Sequence, residues 1–295
     1  MTERTGSIDD PAQLGYVNAA EAWAGGAMLA YLPLARHLVD RCPQPLRNAL
    51  VLDAGAGTGA VSTILLEQGA IAVATDLQHG MLARLPVNQA MPIVADLNAT
   101  PFRSGVFDIA VGAFVLNHLA DPLAGLTELR RVVRSGGVIL ASSFSIHRSA
   151  AKNVVDVIAT AFGWEPPPWY RHLQGRAALV GTTSQLTAAA KHAGLIDVHV
   201  SNTEVDVGLE DPALVARYRL GMPQLAPFVR TLSPRRRHDL TEAATAAVAA
   251  NGERFRPAVL ELVARVSAVA PPPAGEVPQR ALRHAGSIAR PTGGQ

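Results

Sequence analysis

Short apolar runs alternate with longer amphipathic segments between residues 49 and 145. Each run is bounded by glycine, aspartate or proline, and five of them predict buried strands: 49–54, 70–76, 91–96, 107–114 and 136–144. The segments between these runs have the character of helices. Strands that alternate with helices at this spacing predict right-handed crossovers and a mainly parallel sheet with helices on both faces. The pattern therefore predicts an α/β fold.

The clearest helix is predicted over 121–134. Asp121 and Pro122 supply an N-cap and a first-turn proline, and two glycines follow the segment. One face is apolar and consists of Leu123, Leu126, Leu129 and Val133. Farther along, apolar alternation near 195–200 and 203–208 predicts two closely connected strands, which we expect to form an antiparallel hairpin that completes a seven-stranded sheet.

The flanking regions lie outside this alternation. Residues 1–48 read as helices whose apolar faces include Trp23, and we expect them to form a cap over the core at 49–208. Within that core, 145–183 is an aromatic and proline-rich insertion that belongs to the cap. We expect 209–270 to be a mostly helical segment and 271–295, which lacks a core-forming pattern, to be disordered.

Composition limits the classes of function. The 295 residues are 48% hydrophobic and 17% charged, with a formal net charge of +2, and the arginines are scattered, so we expect no nucleic-acid partner. A single cysteine, Cys42, excludes an intramolecular disulfide and a multi-cysteine metal site. The polar first residues and the absence of a long apolar run predict a cytoplasmic protein without a membrane span.

Chemistry is concentrated in the stretch "VLDAGAGTGA", where Gly55, Gly57 and Gly59 follow a predicted strand. A loop that binds a nucleoside triphosphate would need a lysine here, but Lys152 and Lys191 are the only lysines in the chain. The glycine spacing also differs from the G-x-G-x-x-G of dinucleotide folds, and Asp53 would repel a pyrophosphate.

A ligand with positive charge reverses this electrostatic argument. S-adenosylmethionine carries an amino group and a sulfonium beside its carboxylate, and it has no phosphate, so Asp53 can hold its cationic end. The stretch "LDAGAGTG" resembles the first motif, D/E-x-G-x-G-x-G, of the class I S-adenosylmethionine-dependent methyltransferases. The similarity continues through "VATD", "IVADLNATPF" and the segment from 107 to 142.

The resemblance implies a Rossmann-like fold, S-adenosylmethionine as the cofactor and a set of donor-binding residues. It implies that Asp76 takes the ribose hydroxyls and that Asp96 receives the adenine amine. The full implied set is Asp53, Gly55, Gly57, Gly59, Asp76, Leu77, Asp96 and Leu97. Asp108 starts its strand at the opposite edge of the sheet, so we interpret it as structural.

The chain is most similar to the branch that methylates small molecules, which includes enzymes of ubiquinone and menaquinone biosynthesis and many natural-product methyltransferases. We therefore expect methyl transfer to a small, largely apolar molecule. Two alternatives stay open: an enzyme of this fold that runs a different reaction, such as a cyclisation, and a non-catalytic donor-binding protein. The oligomeric state, the acceptor and the methylated atom do not follow from the sequence.

His118 is the candidate catalytic residue, because it follows the fourth strand, where donor and acceptor would meet. It could act as a general base. The alternative, which the sequence favours, is a histidine that shapes the pocket or caps the next helix. His147 has weaker support as a site residue. No acidic residue follows the fourth strand before Asp121, so we expect no metal.

Aromatic and basic residues of the flanking regions have two interpretations. Trp164, Trp169 and Tyr170 would either line an apolar acceptor pocket or hold the cap together, and the sequence does not decide between these roles. The run of arginines at 235–237 is interpreted as a solvated helix face rather than an anion site.

Overall fold

A computed structural model describes residues 15–17, 19–85, 90–146 and 150–268, with backbone alone at 150–152. The predicted disordered tail at 271–295 and the candidate His147 lie outside these residues. The described chain contains one seven-stranded sheet with the strand order β3-β2-β1-β4-β5-β7-β6. The strands are β1 Leu50–Ala54, β2 Ile71–Asp76, β3 Met91–Val94, β4 Phe107–Ala113, β5 Val133–Phe144, β6 Leu195–Glu204 and β7 Ala258–Val266.

The first five strands are parallel and confirm the predicted α/β architecture. β1 lies between β2 and β4, so that Leu52 faces Val73 on one side and Ala110 on the other. β3 extends the sheet beyond β2, and β5 extends it beyond β4. Because the strand order reverses direction at β1 and β4, their carboxyl ends form the crevice where open α/β sheets bind ligands.

The antiparallel end of the sheet differs from the predicted hairpin. The second strand was expected at 203–208, but β6 continues without a turn through Leu195–Glu204, and its partner is β7 at Ala258–Val266. β7 is antiparallel to both β5 and β6 and lies between them. The prediction of the hairpin's second strand was therefore wrong, and a strand lies inside the region at 209–270 that was expected to be mostly helical.

Helices cover both faces of the sheet and its ligand-binding edge. Several begin as the sequence predicts: Asp121 accepts a hydrogen bond from the Leu123 amide at 2.9 Å, next to a proline in the first turn. The helices are α1 Ala20–Ala22, α2 Met28–Val39, α3 Ala60–Glu67, α4 His79–Leu82, α5 Pro122–Val132, α6 Ala150–Ala161, α7 Pro168–Ala177, α8 Thr183–His192, α9 Pro212–Leu220, α10 Ala226–Thr231 and α11 Pro234–Asn251. A π-helical turn, Trp23–Ala27, joins α1 to α2.

Successive residues of the strands face opposite sides of the sheet and therefore belong to two separate hydrophobic cores. On one face α2 and α3 pack on the sheet around Leu38 and Ile64, and on the other α5 and α8 pack around Leu126 and Leu186. Asp108 has the structural role expected of it. It accepts hydrogen bonds from the Leu50 amide and from Arg134, away from the ligand-binding edge.

A third core forms the cap, which combines the end of the π-helical turn and the first part of α2 with α6, α9 and α11. Its centre holds Arg219, whose exposed fraction is 1%. The guanidinium donates two 2.6 Å hydrogen bonds to Asp156 and one of 3.1 Å to the Tyr170 hydroxyl. This buried pair joins α6, α7 and α9. The arginines at 235–237 are exposed on α11, in agreement with the predicted solvated face.

Candidate active site

A cleft opens at the carboxyl ends of β1, β2, β3 and β4. It encloses about 1210 Å³ of space, its open mouth included. The lining contains Asp53, Gly55, Gly57, Asp76, Leu77, Asp96, Leu97 and His118. Of the residues predicted for the site, only Gly59 is missing from this lining. The fold therefore brings residues from 53 to 118 to one edge of the sheet.

The glycine loop turns sharply between β1 and α3. Gly55 has a φ of +73°, and a Cβ there would lie 2.5 Å from Cγ2 of Val115. Gly59 has a φ of +92° at the N-cap of α3. Both positions need a residue without a Cβ, one for space and backbone freedom and the other for backbone freedom. The carbonyl of Thr75 on β2 accepts hydrogen bonds from the Gly55 and Ala56 amides, each at 2.8 Å, so the loop is anchored to the neighbouring strand.

Asp53 is the penultimate residue of β1, just before this loop, and its exposed fraction is 1%. Its Oδ2 accepts hydrogen bonds from the amide of Ser62 at 2.9 Å and from the hydroxyl of Ser62 at 2.7 Å. Burial raises the pKa of Asp53 to about 7, although the bonds from Ser62 act in the opposite direction. A carboxyl group with such a pKa gains its charge readily when a cation approaches.

Asp76 and Asp96 follow the next two strands along the same edge. Asp76 accepts hydrogen bonds from the Gly57 amide at 2.9 Å and the Gln78 amide at 2.8 Å. Burial raises its pKa, and these backbone bonds oppose the shift. Asp96 accepts at Oδ1 from the amide and the side chain of Asn98, at 2.8 and 2.9 Å. The three aspartates thus form a row across the ends of β1, β2 and β3.

His118 lies at the other end of the cleft, in a 3₁₀ turn, Leu116–His118, that follows β4. Its Nε2 is 3.5 Å from the hydroxyl of Tyr16, and the two rings meet edge to face with centroids 5.1 Å apart. Its backbone carbonyl accepts a 3.0 Å hydrogen bond from Arg176 of α7. Since Asp121 caps α5, the capping role considered for His118 is not the one it has.

An aromatic wall, which was not predicted from the sequence, faces the sheet edge. Trp23 and Tyr31 have centroids 4.7 Å apart, and Tyr31 meets Phe114 of the β4 end at 5.2 Å. Together with Tyr16, these side chains line the cleft. We call the set Tyr16, Trp23, Tyr31 and Phe114 the aromatic wall. Three of its four members come from the first 31 residues, so the N-terminal segment helps to form the cleft.

The aromatic residues that the sequence did single out lie elsewhere. Trp164 is buried in the cap core, where its indole N–H donates to the Gln224 carbonyl at 2.9 Å. Tyr170 receives its hydrogen bond from Arg219. Trp169 packs near Tyr16, with centroids 6.2 Å apart, but does not line the cleft. For Trp164 and Tyr170 the structure supports the cap-holding interpretation.

The charge inventory of the cleft decides which donors fit it. Within the described chain the lining includes three aspartates and contains no lysine or arginine. Polyphosphate ligands would meet only like charge, whereas a sulfonium and an amino group would be attracted. The close approach of the loop at Gly55 and the row of carboxylates therefore fit S-adenosylmethionine.

Comparisons with known proteins agree with this fit. Residues 52–141 match the model of a family described as "Methyltransferase domain". The chain is 33% identical over 162 residues to the demethylmenaquinone methyltransferase of Mycolicibacterium vanbaalenii, covering 52% of this chain and 70% of the relative. It is 43% identical over 96 residues to that of Mycolicibacterium gilvum, covering 32% of this chain and 42% of the relative.

A solved structure shares the fold. It is phosphoethanolamine N-methyltransferase 2 of Haemonchus contortus in complex with S-adenosyl-L-methionine, with a TM-score of 0.53 and 16% identity over 79% of this chain and 52% of that chain. The chain belongs to the class I S-adenosylmethionine-dependent methyltransferases. It is a methyltransferase, and S-adenosylmethionine is its cofactor, as the sequence predicted.

Between residues 15 and 268, leaving out the gaps named above, no group of three or more His, Cys, Asp or Glu side chains is placed to hold a metal ion. None of the helices in the same residues is long and apolar enough to cross a membrane.

Proposed function

We propose that this methyltransferase transfers the methyl group of S-adenosylmethionine to a small, largely apolar molecule that contains a planar ring. The observation that supports the acceptor class is the aromatic wall, which lines the cleft and places Tyr16 next to His118. Aromatic side chains offer large contact areas and favour flat partners that stack or meet them edge to face. The names of the two curated relatives point the same way, since demethylmenaquinone is a ring compound.

The donor site in this proposal uses the row of aspartates. Asp53 faces the cationic methionine end, Asp76 takes the ribose hydroxyls and Asp96 lies at the adenine end, with Leu77 and Leu97 beside the nucleoside. The order of these side chains along β1, β2 and β3 supports the assignment, because it extends the donor along the sheet edge. His118 and Phe114, which line the cleft at the β4 end, would then lie beside the acceptor.

When bound, S-adenosylmethionine supplies a methyl group on a positively charged sulfur. A nucleophilic atom of the acceptor forms a bond to the methyl carbon as the carbon–sulfur bond breaks, and the products are the methylated acceptor and S-adenosylhomocysteine. The protein contributes by holding the two partners in line in the cleft between the sheet edge and the aromatic wall. Such positioning supplies up to ~7–11 kcal/mol in favourable systems.

His118 is placed to accept the proton that the acceptor loses. Its Nε2 lies 3.5 Å from the Tyr16 hydroxyl, and the side chain lines the cleft at the β4 end, within the region where an acceptor would bind. We therefore assign the general-base role to His118, with Tyr16 as the side chain that orients its ring. The same geometry accommodates a pocket-shaping role, so the kinetic test below compares the two.

The test is to incubate the protein with methyl-labelled donor and a panel of hydroxylated ring compounds, quinols included, and with aliphatic amines and alcohols of similar size. We expect label in ring compounds and not in the aliphatic set, and an increase in product mass of one methylene. Label found in the aliphatic set alone would contradict the proposed acceptor class. A product of unchanged mass would show that the fold runs another reaction, such as a cyclisation.

A further inference from the structure

We propose that the indole N–H of Trp23 holds the carboxylate of the methyl donor, so that the N-terminal segment belongs to the donor site and not only to the acceptor cap. This inference rests on the cofactor assignment and is independent of the acceptor. Four features of the cleft support it. They are its charge, the hydrogen bonds within the glycine loop, the position of the indole nitrogen, and the lack of a hydrogen-bond acceptor for that nitrogen within the described chain.

The acidic side chains of the cleft would repel the carboxylate of the donor, so this carboxylate needs a neutral hydrogen-bond donor such as the indole of Trp23. S-adenosylmethionine carries a carboxylate beside its amino group, and this carboxylate must lie near the methionine end of the site. Among the described lining residues no lysine or arginine is present, while Asp53, Asp76 and Asp96 are all acidic. A carboxylate placed here would therefore be repelled unless neutral N–H or O–H groups donate to it.

The glycine loop has few amides to spare for this purpose. The amides of Gly55 and Ala56 both donate to the Thr75 carbonyl, and the amide of Gly59 donates to the Ala56 carbonyl at 2.9 Å. The amide of Gly57 donates to Asp76 at 2.9 Å. Four amides of the loop are thus already bonded within the protein, so a donor from another element would add to the few groups that the loop can offer the carboxylate.

Trp23 supplies such a donor from the π-helical turn that opens the cap. A Cβ built on Gly57 would lie 3.9 Å from the indole Nε1, so the N–H is close to the tip of the loop. Among the described residues no acceptor takes a hydrogen bond from this nitrogen, and the side chain lines the cleft. Its ring is held by Tyr16 and Tyr31, with centroids at 5.8 and 4.7 Å.

The π-helical turn explains how the indole reaches this point. Trp23 starts the turn Trp23–Ala27, and π-helical turns inserted into α-helices frequently occur at functional sites. Held between two other rings, the indole keeps its N–H aimed at the loop without paying the entropy that a long flexible side chain would lose.

The experiment measures binding of two donors by isothermal titration calorimetry to the full chain. One is S-adenosylmethionine, and the other is decarboxylated S-adenosylmethionine, which has the same sulfonium and amino group but no carboxylate. Trp23→Phe should weaken binding of the first about 10-fold, the scale for one hydrogen bond to a charged group, and change binding of the second less than 2-fold. The decarboxylated donor thereby reports whether the variant is folded.

A matched control is Trp169→Phe, which removes an indole from the same region without altering the cleft lining. It should leave the ratio of the two affinities unchanged. The proposal is overturned if Trp23→Phe weakens both donors equally, if it weakens neither, or if Trp169→Phe shifts the ratio as much. Failure of the wild-type protein to bind either donor would instead contradict the cofactor assignment, so the two failures are distinguishable.

Discussion

Replacement of Asp53 by asparagine separates the charge of this side chain from its packing. Asparagine has nearly the same size, and its amide oxygen can accept the two hydrogen bonds that Ser62 donates at 2.9 and 2.7 Å. It cannot ionise. Any effect of Asp53→Asn that depends on pH therefore reports the carboxyl group itself.

The magnitude follows from the raised pKa. Burial moves the pKa of Asp53 from 3.8 to about 7, so between these values the folded protein holds a proton that the unfolded chain has released. Stability from this group is complete below 3.8 and is lost as the pH rises through 7. At 1.36 kcal/mol per pKa unit the loss is about 4 kcal/mol. Because the exposed fraction is 1%, solvent screening does not reduce this figure substantially.

Urea unfolding of both proteins at several pH values between 4 and 8 measures the effect. The free energy of unfolding of Asp53→Asn, relative to wild type, should rise by about 4 kcal/mol across this range. The affinity for the donor should change with pH in the opposite direction to the stability. The wild type should bind S-adenosylmethionine more tightly as the pH rises through about 7, with release of a proton below that value, and the variant should not. Equal pH dependence in the two proteins would refute the reasoning.

Three further substitutions test other parts of the site. Asp76→Ala should weaken donor binding by about 1.5–3 kcal/mol through loss of hydrogen bonds to a charged group, and an unchanged dissociation constant would remove Asp76 from the ribose site. Gly55→Ala should lower the melting temperature and weaken donor binding, because its Cβ would meet Val115 and its φ is positive; a stable variant with normal affinity would contradict the loop geometry. His118→Gln should lower turnover by ~10²–10⁴ with donor affinity nearly unchanged, and turnover within a small factor of wild type would assign His118 to pocket shape alone.

The parallel half of the sheet was predictable because its signal is local. Each of the first five strands contains a short apolar run, the first three of these runs end at a glycine or an aspartate, and helices such as α5 begin at a capping aspartate followed by proline. The donor loop was predictable for the same reason. Asp53, Asp76 and Asp96 each lie at the C-terminal end of a predicted strand, so parallel topology alone places them at one edge.

β7 was not predicted, because the spacing of its charged residues is typical of a helix. Glu261 and Arg265 are four positions apart in an otherwise apolar run, which is the spacing of an ion pair on a helix surface. In the fold Glu261 is 1% exposed and contacts His37 at 2.7 Å and Arg41 at 3.3 Å. These partners lie more than 200 positions earlier in the chain, so no local sequence pattern indicates the contact.

The aromatic wall could not be predicted from the sequence for a similar reason. Tyr16 meets His118 across 102 positions, and nothing in the sequence around Tyr16 or Trp23 distinguishes a cleft-lining ring from one that packs in a helical core. Trp164 and Tyr170, which stand in a conspicuous proline-rich stretch, turned out to hold the cap instead. Sequence identifies the donor side of the cleft, whereas the cap's contribution depends on packing between distant segments.

The central claim is that this cleft binds S-adenosylmethionine and delivers its methyl group to a small ring-containing acceptor. The most direct measurement supplies donor with a labelled methyl group to the purified chain and a metabolite extract, and then identifies labelled products by mass spectrometry. The account predicts label in a small ring compound together with stoichiometric S-adenosylhomocysteine, and loss of both with Asp76→Ala at limiting donor. Label confined to protein or nucleic acid, or no S-adenosylhomocysteine with any fraction, would contradict it.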